Sequence, residues 1–285
     1  MIKERFAPSP TGLLHLGHAF SALTAFDAAK TAGGQFHLRI EDIDTPRCTP
    51  EFETAIYQDL TWLGMSWEAK VLHQSTRLGA YQDAMAALAS HGLLYPCRCT
   101  RRDIDLALSA PQEGAPTHGP HGALYPGTCR HRRLEDITAD DAIRLNMERA
   151  VAYLGGEEAL NALGFTEIGM DPGTYRLSPA VAFREIGDIV LARRDIGTSY
   201  HIAVVVDDAH CGITHVTRGQ DLFRASFIHR LLQALLNLPT PVYRHHRLIR
   251  DRAGKRLAKR DDARSIRAYR QAGLTPNGVR ALIDL

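Results

Sequence analysis

The stretch Arg5-Phe-Ala-Pro-Ser-Pro-Thr-Gly-Leu-Leu-His15-Leu-Gly-His18 constrains the fold more than any other part of the chain. Lys3 to Ala7 reads as a short strand, and Pro8, Pro10 and Gly12 break it into a turn. From Gly17 a helical pattern runs through Phe20, Leu23 and Phe26 and stops at Gly33-Gly34; Gln35 to Ile40 reads as a second strand. Strand, Pro/Gly loop, helix and strand in that order point backbone N–H groups and the positive end of a helix at a ligand. With His15 and His18 at the mouth of the helix, the arrangement suits an anion, and nucleotide phosphates above all.

The alternation continues. After Glu41-Asp-Ile-Asp-Thr-Pro-Arg47, Thr49 caps a helix, Pro50 takes its first position, and Glu51 and Glu53 favour its positive end. A further helix is expected from about Thr76 to His91, with Gly92 as its stop, and a parallel α/β sheet follows from the pattern. From Tyr95-Pro-Cys97-Arg-Cys99 the character changes. Arg101 to Ser109 reads as a short helix, and 110–128 is a Pro/Gly-rich loop. Residues 95–180 read as an insertion between the catalytic halves 1–94 and 181–243, with a basic loop and helical segment over 244–285. Strands are expected at Asp188 to Arg193, Tyr200 to Asp208, Ile213 to Gly219 and His246 to Arg250, and a helix from Phe223 to Leu236. The run Ile202 to Val206 is apolar on both faces, as a buried parallel strand would be.

Net charge is only +2, but its distribution is uneven. Eleven Lys/Arg and three Asp between Arg244 and Arg270 leave that segment at +8. A basic face beside an acidic remainder suits a polyanionic partner or, more blandly, a solvated basic helix. The sequence contains no long apolar run and no secretory-type start, so a cytoplasmic protein with no membrane association is expected. Five cysteines, an odd number, argue against a disulfide framework. Cys97, Cys99, Tyr125 and Cys129 bracket the Pro/Gly loop. Three thiols and a phenol could close a structural zinc site; free cysteines in a surface module are the alternative. Cys48 and Cys211 stand outside this pattern and read as packed thiols.

Taken together, Arg5-Phe-Ala-Pro-Ser-Pro-Thr-Gly, His15-Leu-Gly-His18, Leu38-Arg-Ile-Glu-Asp-Ile-Asp44, Val204-Val-Val-Asp-Asp208 and Thr217-Arg218-Gly-Gln-Asp221 resemble the catalytic domain of class I glutamyl-tRNA synthetases. His-x-Gly-His is similar to the HIGH motif of that family, and Lys255-Arg-Leu-Ala-Lys259-Arg260 to its KMSKS loop. Ala258 stands where that loop usually carries serine, and Arg256 where it carries lysine or methionine. The resemblance implies a Rossmann-like parallel sheet, with ATP over Gly12, His15, Gly17, His18, Arg256 and Lys259. His15, His18 and Lys259 would then be catalytic, stabilising charge on the phosphates. It also implies a glutamate pocket made by Arg5, Phe6, Ala7, Pro8, Ser9, Glu41, Tyr200 and Arg218. There Arg5 would face the side-chain carboxylate and Glu41 the α-ammonium. The structural alternatives are two helix-capping histidines, an ordinary exposed Lys259, and an ion-pair set at strand ends for Arg5, Glu41 and Arg218.

The Cys-x-Cys and Tyr-x-x-x-Cys pattern resembles the zinc site of a short paralogue family, the glutamyl-Q tRNA(Asp) synthetases. A full glutamyl-tRNA synthetase continues into anticodon-binding domains, whereas this sequence stops at Leu285, so no such domain is expected. The resemblance then implies activation of L-glutamate by ATP without tRNA and transfer to queuosine at the wobble position of tRNA(Asp). Zinc and ATP-borne magnesium are implied, and a monomer is expected. Three alternatives remain: a truncated glutamyl-tRNA synthetase charging the tRNA 3′ end, a non-catalytic tRNA-binding paralogue, and a nucleotidyltransferase of the same fold.

Overall fold

The computed structural model describes residues 1–68, 70–109, 118–119, 122–250 and 264–285. It begins as the sequence dictates. β1 (Lys3–Phe6) leads through the Pro/Gly loop into α1 (Leu16–Thr31) and returns as β2 (Gln35–Ile40). β1 and β2 pair in parallel, Lys3 opposite Gln35 and Phe6 opposite Leu38. The tight return depends on Gly34, where a Cβ would lie 2.3 Å from the Ile2 carbonyl oxygen. α2 (Pro50–Trp62) starts on the expected Thr49 cap, whose hydroxyl accepts from Phe52 N. β3 (Leu72–His73) extends the sheet in parallel beside β2.

The chain continues through α3 (Leu78–Ser90), β4 (Leu94–Cys97), α4 (Arg101–Ser109), β5 (His118–Gly119) and β6 (Gly122–Ala123). Next come β7 (Ala142–Leu145), α5 (Met147–Tyr153), α6 (Gly156–Ala162), β8 (Gly164–Glu167), β9 (Gly173–Arg176) and β10 (Val190–Ala192). α7 (Tyr200–His210), β11 (His215–Gly219), α8 (Ala225–Leu235), β12 (Val242–His246), α9 (Ile266–Gln271) and α10 (Pro276–Leu282) complete it. A second sheet runs β11-β12-β8-β9, parallel except for the β8–β9 hairpin. Its edge strand β11 meets β1 of the first sheet. Thr214 N donates to Lys3 O (3.1 Å) and the Thr217 hydroxyl to the buried Glu4 carboxylate (3.0 Å). The carboxyl ends of β1, β2 and β11 therefore open on one side, where ligands bind in open α/β sheets.

Two sequence expectations are corrected. Tyr200 to Asp208 is not a strand but part of α7, and Ile202, Ala203, Val204 and Val205 are all buried. A helix enclosed on several sides is apolar all round, so its periodicity mimics a doubly buried strand. Packing decides: α7 lies against α3 and α8. The strand expected at His246 to Arg250 lies earlier, at Val242–His246. The strands of residues 95–180 join two different sheets. β4, β7 and β10 form an antiparallel sheet, whereas β8 pairs with β12 in the parallel one.

The core is correspondingly split. One cluster surrounds α1 and its sheet and takes in Ile266, Val279 and Ile283 from the C-terminal helices; a larger one centres on α7 and α8. Ile266 N donates to Leu14 O (2.8 Å), which sets the start of α9 beside the start of α1, and Arg280 forms a two-pronged pair with Asp27 (2.7 and 2.9 Å). No helix among the described residues is long and apolar enough to cross a membrane.

Candidate active site

A cleft of about 550 Å³ opens where the carboxyl ends of β1, β2 and β11 converge. Arg5, Phe6, Ala7, Pro8 and Ser9 form one wall, His15, Gly17 and His18 another, and Glu41, Tyr200 and Arg218 close it. Glu41 N donates to Pro8 O (3.0 Å), which ties the end of β2 to the loop. Gly12 lies in the same loop but not on the cleft wall. Arg256 and Lys259 lie outside the described residues.

The two histidines do cap the helix. His15 Nδ1 accepts from Gly17 N (3.1 Å), and His18 Nδ1 accepts from His15 N (3.2 Å), a reciprocal capping box. Gly17 permits this, because a Cβ there would lie 3.0 Å from His15 Cε1. Capping and ligand binding are compatible. With Nδ1 accepting, each neutral ring carries its proton on Nε2, at the start of a helix whose dipole favours anions.

The two buried arginines of the cleft, Arg5 and Arg218, sit in different surroundings. Arg5 donates from Nε to Asp208 Oδ1 (3.2 Å) and from Nη1 to Thr217 O (3.4 Å). Arg39 shares Asp208 and donates to Glu41 Oε1 (3.0 Å). Burial opposes ionisation of Asp208, but the Arg39 and Arg5 charges outweigh it and hold its carboxyl below the usual range. Burial raises the Glu41 carboxyl, and the Arg39 charge works against that rise. Burial likewise raises the Tyr200 phenol. Arg218 instead donates to His245 Nε2 (3.1 Å), His229 Nδ1 (3.1 Å) and Ser226 Oγ (2.6 Å). Among the described residues no carboxylate pairs with it. Burial, then the Arg218 charge, push His245 down to about 3 and His229 well below its usual value, so both imidazoles are neutral acceptors.

The sequence reading missed Asp208 as a partner of Arg5, together with Ser226, His229 and His245 behind Arg218. The adjacent acids Asp207 and Asp208 at the end of an apolar run were the available signal. Asp207 turns away from the cleft and accepts from Gln74, Arg77 and Tyr81.

Away from the cleft, the second constellation also assembles. The Tyr125 phenol oxygen lies 3.3 Å from Cys97 Sγ and 3.5 Å from Cys99 Sγ, and Cys99 Sγ lies 3.6 Å from Cys129 Sγ. A tetrahedral zinc with Zn–S bonds of about 2.3 Å has ligand–ligand edges of roughly 3.5–3.8 Å, so the donor set fits the ion. The Arg144 guanidinium packs over the Tyr125 ring at 3.9 Å, and burial together with the cysteine hydrogen bonds raises the metal-free phenol.

Comparison with known proteins agrees with this geometry. Residues 1–147 and 167–285 match the family described as tRNA synthetases class I (E and Q), catalytic domain. The chain is 54% identical over 283 residues to a glutamyl-Q tRNA(Asp) synthetase of Rhodobacter capsulatus, covering 99% of each. It is 40% identical to one from Symbiobacterium thermophilum, covering 98% of this chain and 84% of that one. Among solved structures, the glutamate-tRNA synthetase of Elizabethkingia anophelis superposes with a TM-score of 0.69 at 26% identity. That match covers 91% of this chain but only 53% of the longer enzyme. The chain belongs to the class I tRNA synthetases of the glutamyl and glutaminyl type, and within them to the glutamyl-Q tRNA(Asp) synthetase family of ligases.

Proposed function

We propose that the protein activates L-glutamate with ATP in the absence of tRNA and transfers the glutamyl group to queuosine at the wobble position of tRNA(Asp). The observation that carries this reading is the shared cleft. A histidine-capped helix start, suited to phosphates, lies beside two buried arginines, a carboxylate and a tyrosine suited to an acidic amino acid. The glutamate α-carboxylate attacks the α-phosphorus of ATP and pyrophosphate leaves. A queuosine hydroxyl then attacks the activated carbonyl, losing its proton as AMP departs.

In this reading Arg218 and Arg5 receive the glutamate γ-carboxylate, with Arg218 the less neutralised of the two. Glu41 holds the α-ammonium, while Phe6, Ala7, Pro8, Ser9 and Tyr200 complete the pocket. His15 and His18 donate toward the phosphates, with Gly17 allowing their approach. Lys259 and Arg256 are assigned to the triphosphate, which arrives with magnesium. Cys97, Cys99, Cys129 and Tyr125 would hold zinc, whose role there is to cross-link a segment short of apolar core. The protein is read as a cytoplasmic monomer.

Labelled glutamate, ATP and tRNA(Asp), with and without queuosine, test the reading. Label retained only on queuosine-containing tRNA supports it. Charging of the 3′ end of unmodified tRNA(Glu) overturns it.

A further inference from the structure

Glu167 is 1% exposed and does not line the cleft. It ends β8, opposite Tyr243 of β12. Its Oε1 accepts from His245 N (2.9 Å) and Gly169 N (2.5 Å), and its Oε2 meets His245 Nδ1 at 2.5 Å. Gly169 makes this possible, because a Cβ there would lie 2.2 Å from the His245 carbonyl oxygen. Burial raises the Glu167 carboxyl, but the His245 and Gly169 N–H groups favour its ionised form, and as a carboxylate it dictates the state of the imidazole. Nδ1 carries the proton, so Nε2 presents a lone pair. That lone pair receives Arg218 Nε and faces the Ser226 hydroxyl, which itself accepts from Arg218 Nη2.

We propose that Glu167 is a positioning residue which, acting through the tautomer of His245, aims the Arg218 guanidinium into the cleft while leaving its charge for the carboxylate of the substrate. A direct Glu–Arg pair would orient the guanidinium equally well but would also neutralise it. The interposed neutral imidazole transmits direction without cancelling charge, a supporting layer that fixes the group touching the ligand. The inference rests on the proposed role of Arg218 in glutamate binding.

Glu167→Gln separates this from simple packing. A glutamine has one acceptor oxygen, which the two backbone N–H groups claim, and its NH2 then faces His245 Nδ1. The imidazole proton must move to Nε2, where it opposes Arg218 Nε–H. Loss of that buried charged hydrogen bond is expected to raise the KM for glutamate in ATP–pyrophosphate exchange by about 10- to 100-fold. The KM for ATP stays within about twofold, since the histidine wall is untouched. The double variant Glu167→Gln/His245→Gln presents an amide oxygen to Arg218 whatever residue 167 carries, and recovers most of the loss. Nitrogen-15 NMR of the imidazole is an independent readout, expected to show protonated Nδ1 in the parent and protonated Nε2 in Glu167→Gln. A folded Glu167→Gln protein with unchanged glutamate KM overturns the proposal, as does a parent His245 protonated on Nε2. A parent protein without glutamate-dependent exchange sinks the activity instead, and the tautomer measurement then still decides whether Glu167 sets His245.

Discussion

The two sides of the cleft handle a buried guanidinium in opposite ways. On the β1 side Arg5 is tied to Asp208, which Arg39 also holds, and Arg39 in turn reaches Glu41. Charges there alternate and largely satisfy one another. On the β11 side Arg218 is held by two neutral imidazoles and a hydroxyl. The first arrangement builds a rigid wall. The second keeps a net positive charge pointed at an open space, where an incoming carboxylate gains the most. The two arrangements lie on different strands, and in the proposed reading an acidic ligand meets both.

The largest expected effect comes from removing the uncompensated charge. Arg218→Ala should lower kcat/KM for glutamate-dependent exchange by about a thousandfold, with little loss of melting temperature. Equal falls in stability and activity would erase the distinction between the two sides. Arg5→Ala should behave differently. It also weakens glutamate binding, but it strips one partner from buried Asp208 and should cost on the order of 2 kcal/mol in denaturant unfolding.

Acid distinguishes the sides as well. His245 has a folded value of about 3 against roughly 6.5 unfolded, so the unfolded chain takes up the proton first. The stability it contributes is complete above about pH 6.5 and lost as pH falls toward 3, by about 2 kcal/mol at pH 5. His245→Gln should flatten that part of the stability profile. The zinc proposed at the cysteine cluster, which does not line the cleft, provides a control. Chelation should lower the melting temperature by several degrees, on the order of 1–3 kcal/mol, with the glutamate KM within about threefold.

The smallest effect concerns a third carboxylate, Asp59. It is fully buried on α2, 3.6 Å from Arg270, and neither of its oxygens makes a hydrogen bond. Burial raises it to about 6, whereas hydrogen-bonded Asp208 is lowered. A raised carboxyl binds protons better when folded, so stability declines as pH rises from about 4 through 6. Asp59→Asn should therefore gain about 1 kcal/mol at pH 8 and nothing at pH 4, read from melting curves at both values.

Much of the first unit was legible because its signals are local. Thr49-Pro50 start α2, Gly33-Gly34 end the first helix, and the order strand, loop, helix, strand needs no distant partner to be read. That Arg5, Glu41, Tyr200 and Arg218 would line one cleft was legible through the resemblance, which carried spatial information the residues alone lack. α7 was misread because Ile202 to Val206 is apolar and β-branched except at Ala203, and only its enclosure by neighbouring helices decides its form. Glu167 was invisible because its role depends on β8 landing beside β12, a register that no local pattern around residue 167 announces. The reading of Lys259 falls on residues outside those described.

The sequence separations in the cleft have a consequence for synthesis. Arg5 is joined to Asp208 across 203 residues, and His245 to Glu167 across 78. Long-range pairs of this kind form after local helices and hairpins, and domains emerge from the ribosome N-terminus first. A nascent chain displays its phosphate-friendly loop early, yet it has no oriented Arg218 until residue 245 has emerged and β12 has docked. In the proposed reading, selectivity for an acidic substrate thus arrives only with the completion of folding.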